Sequence, residues 1–153
     1  MEPSAGTGGS MYGFLACTAG QFMTRTVVTV QRHTTMRELG ELFEKHDFNA
    51  FPVVEDRKVL GIVSKFDFLR AFAFTSIQIV PHYNELMRRP VEEMMTEAVV
   101  HVDPGSPLTR ILQLMLNLKT RSLPVMNRNA QLEGMISRED VMRALKDTTQ
   151  DTG

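Results

Sequence analysis

Gly61-Ile62-Val63-Ser64-Lys65-Phe66-Asp67 returns later in the chain as Gly134-Met135-Ile136-Ser137-Arg138-Glu139-Asp140. In both stretches a short apolar run ends at a serine, and an aspartate follows three residues on. A strand that feeds a helix at the serine explains that spacing. Upstream, Phe51-Pro52-Val53 matches Leu123-Pro124-Val125, and Met23-Thr24-Arg25-Thr26-Val27-Val28-Thr29-Val30 matches Met95-Thr96-Glu97-Ala98-Val99-Val100-His101-Val102. These blocks share an offset of 72 (95 against 23, 123 against 51), and one inserted residue brings the Gly-x-x-Ser block to 73 (134 against 61). Downstream, Arg70-Ala71 matches Arg143-Ala144. Separate blocks in one order and near-constant register mark an internal duplication.

Each copy reads as strand, helix, strand, strand, helix. Residues 27–30 are β-branched and short, as strands are. Thr35 followed by Glu38 is a capping box, behind which Met36, Leu39, Leu42 and Phe43 share a helical face. In the second copy Ser106-Pro107 starts the helix, with Pro107 expected at the first helical position, where a missing N–H is harmless. Leu108, Ile111, Leu112 and Met115 form its stripe. Residues 51–54 and 59–63 read as strands around the charged turn Glu55-Asp56-Arg57. Residues 122–126 and 132–136 repeat this around Asn127-Arg128-Asn129. Pro52 and Pro124 are expected at strand starts, where a lost donor is tolerable. A unit of roughly 50 residues buries little surface alone. Two units sharing a core give the repeat a physical purpose.

The expected organisation is an N-terminal segment 1–20, a first unit 21–74, a helical connection 75–93, a second unit 94–147 and a tail 148–153. Residues 1–10 are rich in Gly, Ser and Thr and read as an unstructured or vector-derived start. The connection should continue the first copy's last helix, break near Pro81 and resume as a short helix. Its composition is not that of a flexible linker, so rigid docking of the copies is expected.

Hydrophobic residues make up 42% of the chain, charged residues 23%, and the formal net charge is −1. That balance suits a globular domain and gives no broad electrostatic case for nucleic acid or an anionic membrane. No apolar run approaches the roughly 18 residues of a spanning helix. Cys17 is the single cysteine, which excludes an intramolecular disulfide and fits a reducing, cytoplasmic setting. His33, His46, His82 and His101 form no ligand pair at metal spacing. No nucleophile–base constellation and no Gly-rich phosphate loop is present, so neither catalysis nor a required cofactor is expected.

The Met-Thr opening before a Val-rich strand, the apolar-Pro-Val strand and Gly-x-x-Ser-x-x-Asp before the closing helix together resemble the CBS-domain (cystathionine β-synthase-type) family. Two in tandem resemble the pair called a Bateman module. The resemblance covers residues 22–73 and 94–146. It implies an α/β fold of two pseudo-twofold-related β-α-β-β-α units packed through their sheets, with nucleotide clefts between them.

A helix starting at Ser64 or Ser137 exposes free N–H groups and the positive end of its dipole, so an anion can settle there. A serine hydroxyl can donate to phosphate, and an aspartate one turn on presents two acceptor oxygens to a ribose diol. The resemblance assigns Asp67 and Asp140 to ribose, and Ser64 and Ser137 to phosphate. It assigns the adenine pockets to Thr26 and Val27 with Asn49, Ala50, Phe51 and Pro52, and to Ala98 and Val99 with Arg121, Ser122, Leu123 and Pro124. Lys65, Arg138 and Arg121 are the cations best placed in sequence to meet phosphates. Plainer readings stay open: Ser-x-x-Asp is also a helix cap, the pocket residues are also ordinary core, and the cations are also solvated surface.

The function this implies is a regulatory module that binds an adenosine nucleotide (AMP, ADP or ATP) and signals to an effector protein or domain. The alternative is a ligand-free dimerisation scaffold. A homodimer is expected, because residues 111–118 and 68–74 are apolar on more than one helical face. The two sites should differ, since Asn49 and Lys65 stand where the second copy has Arg121 and Arg138.

Overall fold

A computed structural model describes residues 11–73 and 83–149. The expected helix break at Pro81, residues 1–10 and most of the C-terminal tail lie outside the described residues. The chain divides into two packed units. The internal unit is Val28–Val99; the terminal unit joins the chain up to Val27 to everything from Val100 onward. The α/β class expected from the sequence holds, with helices alternating with two small sheets.

In the internal unit, β1 (Ala50–Glu55) pairs antiparallel with β2 (Lys58–Ser64), placing Phe51 opposite Val63 and Val53 opposite Gly61. The hairpin closes more tightly than the charged triplet suggests. Glu55 pairs with Lys58, and only Asp56 and Arg57 turn, at φ 52° and 69°. Two positive φ values match the right-handed twist of the flanking strands. Helix α3 (Met36–Lys45) carries the expected capping box: the Glu38 N–H donates to Thr35 Oγ1 at 3.2 Å, and the Thr35 N–H to Glu38 Oε1 at 2.9 Å. Met36 and Leu39 are fully buried against Phe51, Val53 and Val63. Helix α4 (Lys65–Arg70) follows β2 directly, and α5 (Tyr83–Met87) and a 3-10 turn Val91–Glu93 complete the unit.

The terminal unit repeats this plan. Strand β3 (Ser122–Met126) pairs with β4 (Leu132–Ser137), flanked by α6 (Leu108–Leu118) and α7 (Arg138–Thr149). Two short helices, α1 (Tyr12–Leu15) and α2 (Ala19–Phe22), pack on it through Phe14 and Ala19. Its core gathers Phe14, Ile111, Leu123, Val125, Ile136 and Ala144.

The structural repeat starts earlier than the sequence repeat. The Leu108 N–H donates to the Cys17 carbonyl at 3.0 Å, and the Met36 N–H to the Arg89 carbonyl at 2.9 Å. Cys17 and Arg89 share the offset of 72 but no chemistry, so only backbone geometry relates them.

Three expectations need correction. The strand at 27–30 is reduced to one parallel bridge, Val30 to Val53, and its mate to Val102 with Val125. Pro52 and Pro124 lie inside β1 and β3 rather than at their starts. The two facts have one cause. Val30 donates to the Pro52 carbonyl at 3.0 Å and accepts from the Val54 N–H at 2.9 Å. Extending the parallel ladder back to Val28 needs an N–H that Pro52 lacks. Finally, Pro107 is the N-cap of α6, with extended backbone (φ −69°, ψ 145°), not its first helical residue. Ser106 closes the preceding turn instead, its Oγ accepting from the Asp103 N–H at 3.1 Å.

Each unit takes its Met-Thr segment from the opposite sequence copy. In the terminal unit Thr24 and Met135 exchange backbone hydrogen bonds at 2.8 and 2.9 Å; in the internal unit Thr96 and Ile62 do so at 2.8 and 2.9 Å. The strand passes so close that a Cβ on Gly61 would stand 2.7 Å from the Thr96 carbonyl oxygen, and one on Gly134 2.6 Å from that of Thr24. That contact, rather than a turn, accounts for the glycine of Gly-x-x-Ser.

Candidate functional site

The hairpin register brings the expected residues together at one end of each sheet. Ala50 pairs with Ser64, and Ser122 with Ser137. The Lys65 N–H donates to the Asn49 carbonyl and the Arg138 N–H to that of Arg121, both at 2.9 Å. Each closing helix therefore starts beside the chain that leads into the Pro-Val strand.

Ser64 is the N-cap of α4. Its Oγ accepts from the Asp67 N–H at 3.0 Å and donates to Asp67 Oδ2 at 3.0 Å, while its N–H donates to the same oxygen at 2.8 Å. Asp67 Oδ1 accepts from Arg70 Nη1 at 3.0 Å. At the second site the Ser137 N–H donates to Asp140 Oδ2 at 2.9 Å, the Asp140 N–H to Ser137 Oγ at 3.1 Å, and Arg143 Nη2 stands 3.1 Å from Oδ1. Thr24 Oγ1 also donates to that Oδ1, at 3.5 Å. Both aspartates are 3% exposed. Burying a carboxylate demands such partners, and the arginines supply the countercharge.

The cap reading of Ser-x-x-Asp is thus realised at both sites. A carboxylate offers about four lone-pair positions, so a cap does not exhaust it. Arg70 is the partner that can yield, with its side chain 68% exposed, because exposed halves of ion pairs are held weakly; Arg143, 50% exposed, is held further by donating from Nη2 to the Phe22 carbonyl at 2.9 Å. Sequence reading paired these arginines as repeat markers without giving them a role. Their spacing, one turn after the aspartate on the same helix, was the available signal.

The other expected residues separate by burial. The side chains of Phe51, Pro52, Leu123 and Pro124 lie in the cores. Ala50, Ser122, Val27 and Val99 are half-buried, and Thr26, Asn49, Ala98 and Arg121 exposed. Thr26 and Val27 fall in the terminal unit, and Ala98 and Val99 in the internal one. The cations are engaged differently. Lys65 Nζ stands 5.8 Å over the Phe43 ring, a cation–π contact. Arg138 Nε pairs with Glu139 Oε2 at 3.0 Å, and that hydrogen bond holds the Glu139 carboxyl below its ordinary value.

Concavities open on the described part of the terminal unit. One, of about 480 Å³, lies at the far end of β3 beside Asp103, Arg110 and Arg128 and contains none of the expected residues. Another, of about 370 Å³ between α6 and α7, includes Arg121 and Arg138 at its rim. Among the described residues no group of three or more His, Cys, Asp or Glu side chains could hold a metal ion, and no helix is long and apolar enough to cross a membrane.

The CBS domain family model matches residues 19–74 and 91–147, and the chain belongs to the CBS-domain family. It is 29% identical over 134 residues to a 17.7 kDa protein of Acidianus ambivalens, covering 87% of this chain and 76% of that protein. It is 28% identical to the A-adding tRNA nucleotidyltransferase of Geobacter sulfurreducens, but spans only 14% of it. Among solved structures, that of CBSX2 in complex with AMP superposes with a TM-score of 0.73 at 28% identity, covering 85% of this chain and 96% of that one.

Proposed function

We propose that the chain is a regulatory, non-catalytic CBS pair that binds an adenosine nucleotide (AMP, ADP or ATP) at its Ser-x-x-Asp helix starts and reports it to an effector protein or domain. The observation that carries this reading is the duplicated helix start. Each presents an aspartate fixed by its own serine and screened by a partly exposed arginine. A ribose diol arriving at Oδ1 of Asp67 or Asp140 would replace the arginine's hydrogen bonds, so the buried carboxylate is never left bare. Ser64 and Ser137 then face phosphate. Backbone groups of Thr26, Val27, Asn49, Ala50, Ala98, Val99, Arg121 and Ser122 read the adenine edge, with Phe51, Pro52, Leu123 and Pro124 as the rigid base beneath. Lys65, Arg121 and Arg138 meet the phosphates. The AMP complex of CBSX2 supports the ligand class. A cytoplasmic setting and a homodimer complete the reading. Leu116 (69% exposed), Met142 and Leu69 leave apolar surface that a single copy does not cover.

A scaffold without ligand is the second reading, favoured by the fact that both aspartates are already satisfied within the chain. Titration calorimetry separates the two. The ligand reading expects AMP to bind with GMP weaker; absence of heat with any adenosine nucleotide, confirmed by dialysis, leaves the scaffold.

A further inference from the structure

The nucleotide reading leaves unused the hollow of about 480 Å³ at the far end of β3, within the terminal unit. Arg110, on the first turn of α6, and Arg128, on the β3–β4 turn, both line it. Among the described residues neither guanidinium has a hydrogen-bond or ion-pair partner. Among the described residues that line the hollow, Asp103 alone carries a carboxylate, and its Oδ1 accepts from the Gly105 N–H at 2.9 Å. The turn that carries Arg128 is pinned in place. Asn127 Oδ1 accepts from the Asn129 and Gln131 N–H groups at 2.8 and 3.1 Å, and Asn127 Nδ2 donates to Glu133 Oε2 at 3.1 Å.

The internal unit, built to the same plan, carries the opposite charge at these positions. At the offset of 72, Glu38 stands for Arg110 and Asp56 for Arg128 (110 against 38, 128 against 56), and Glu55 for Asn127. Glu38 completes the capping box with Thr35, and Arg32 Nε closes on Glu55 Oε1 at 3.1 Å. The terminal unit has Pro107 in place of Thr35 and Pro104 in place of Arg32, so it forms neither closure. Arg110 also sits at the end of its helix where the dipole disfavours a cation. Two unpaired guanidiniums on one concave wall therefore carry a repulsion that the fold does not offset, and a bound anion would.

We propose that this hollow binds a small phosphorylated molecule, with Arg110 and Arg128 gripping its phosphate group. A guanidinium presents its N–H groups as a planar fork that matches phosphate oxygens in pairs. A phosphate group has enough acceptor oxygens and charge for two forks, whereas a single carboxylate satisfies one. The volume falls in the range of small-ligand sites, roughly 300–1,000 Å³, which favours a small molecule over an extended peptide. None of the residues assigned to the adenosine nucleotide lines the hollow, so the two readings stand or fall separately.

Inorganic pyrophosphate, which carries no adenosine, is the probe, titrated by calorimetry into the unaltered chain and into Arg110→Gln/Arg128→Gln. The unaltered chain is expected to bind it, and the double variant to bind it about tenfold more weakly or worse. Arg110→Lys/Arg128→Lys keeps the charge without the fork and should fall between the two. Without ligand, the glutamine variant should unfold at or above the midpoint of the unaltered chain, because neither guanidinium has a partner to lose. Equal affinity in the glutamine variant and the unaltered chain would put the anion elsewhere and overturn the proposal. Absence of binding to the unaltered chain at millimolar pyrophosphate, confirmed by dialysis, overturns it too. A midpoint lowered by several degrees in the glutamine variant assigns the two arginines to the fold instead and likewise overturns it.

Discussion

Gly61 and Gly134 hold positions where any side chain would strike backbone. Gly134→Ala places a methyl group 2.6 Å from the Thr24 carbonyl oxygen, and that oxygen cannot retreat without breaking its bond to the Met135 N–H. A loss of about 1–3 kcal/mol is expected in urea denaturation, as for other overpacked sites. An unchanged midpoint would show that the Met-Thr segment does not pass there. Asp67→Ala and Asp140→Ala remove the capping acceptor, and each should cost about 0.5–2 kcal/mol without ligand. Cys17 is 6% exposed, its Sγ donates to the Gly13 carbonyl at 3.2 Å, and burial pushes its thiol up from the ordinary value. It should react with a thiol reagent only as fast as the terminal unit opens. Rapid reaction in the native state would place α1 away from the core. The aspartates and serines are legible in sequence because Ser-x-x-Asp is the spacing of a helix cap, and the structure forms that cap at both sites. The glycines were legible only as markers, since close approach of another strand leaves no local trace.

Elements are legible in sequence where the determinant is local. The capping box at Thr35, the hairpins and the stripe Leu108, Ile111 and Met115 all follow from short-range patterns. Elements are not legible where a distant partner decides. Residues 27–30 have strand composition, yet they pair at Val30 alone, because Pro52 offers no N–H to carry the ladder further. Gly40 gives an element-scale test. It sits inside α3, and the nearest atoms to a Cβ there are the Phe68 ring at 3.4 Å, ordinary contact. Gly40→Ala should therefore stabilise the internal unit by about 0.5–1 kcal/mol through helix propensity. Destabilisation would mean that the aromatic seam beside α3 tolerates no added methyl group.

At the scale of the whole molecule, the duplication is what made the chain readable, because each weak motif is tested by its twin. The exchange of Met-Thr segments between the copies was not readable, since contiguous repeats do not reveal which unit an arm joins. Adenosine-nucleotide binding to the folded chain should show in thermal unfolding with and without ligand. A ligand that binds only the folded chain adds about 2.7 kcal/mol at a hundredfold excess over Kd. For a chain of this size each kcal/mol moves the midpoint by roughly 2–4 °C. The expected result is a rise of several degrees with AMP, ADP or ATP, a smaller one with GMP, and a smaller adenosine shift within the Asp67→Ala and Asp140→Ala variants than within the unaltered protein. Millimolar AMP, ADP and ATP all leaving the midpoint unmoved, in protein shown by mass spectrometry to carry no ligand, would contradict it.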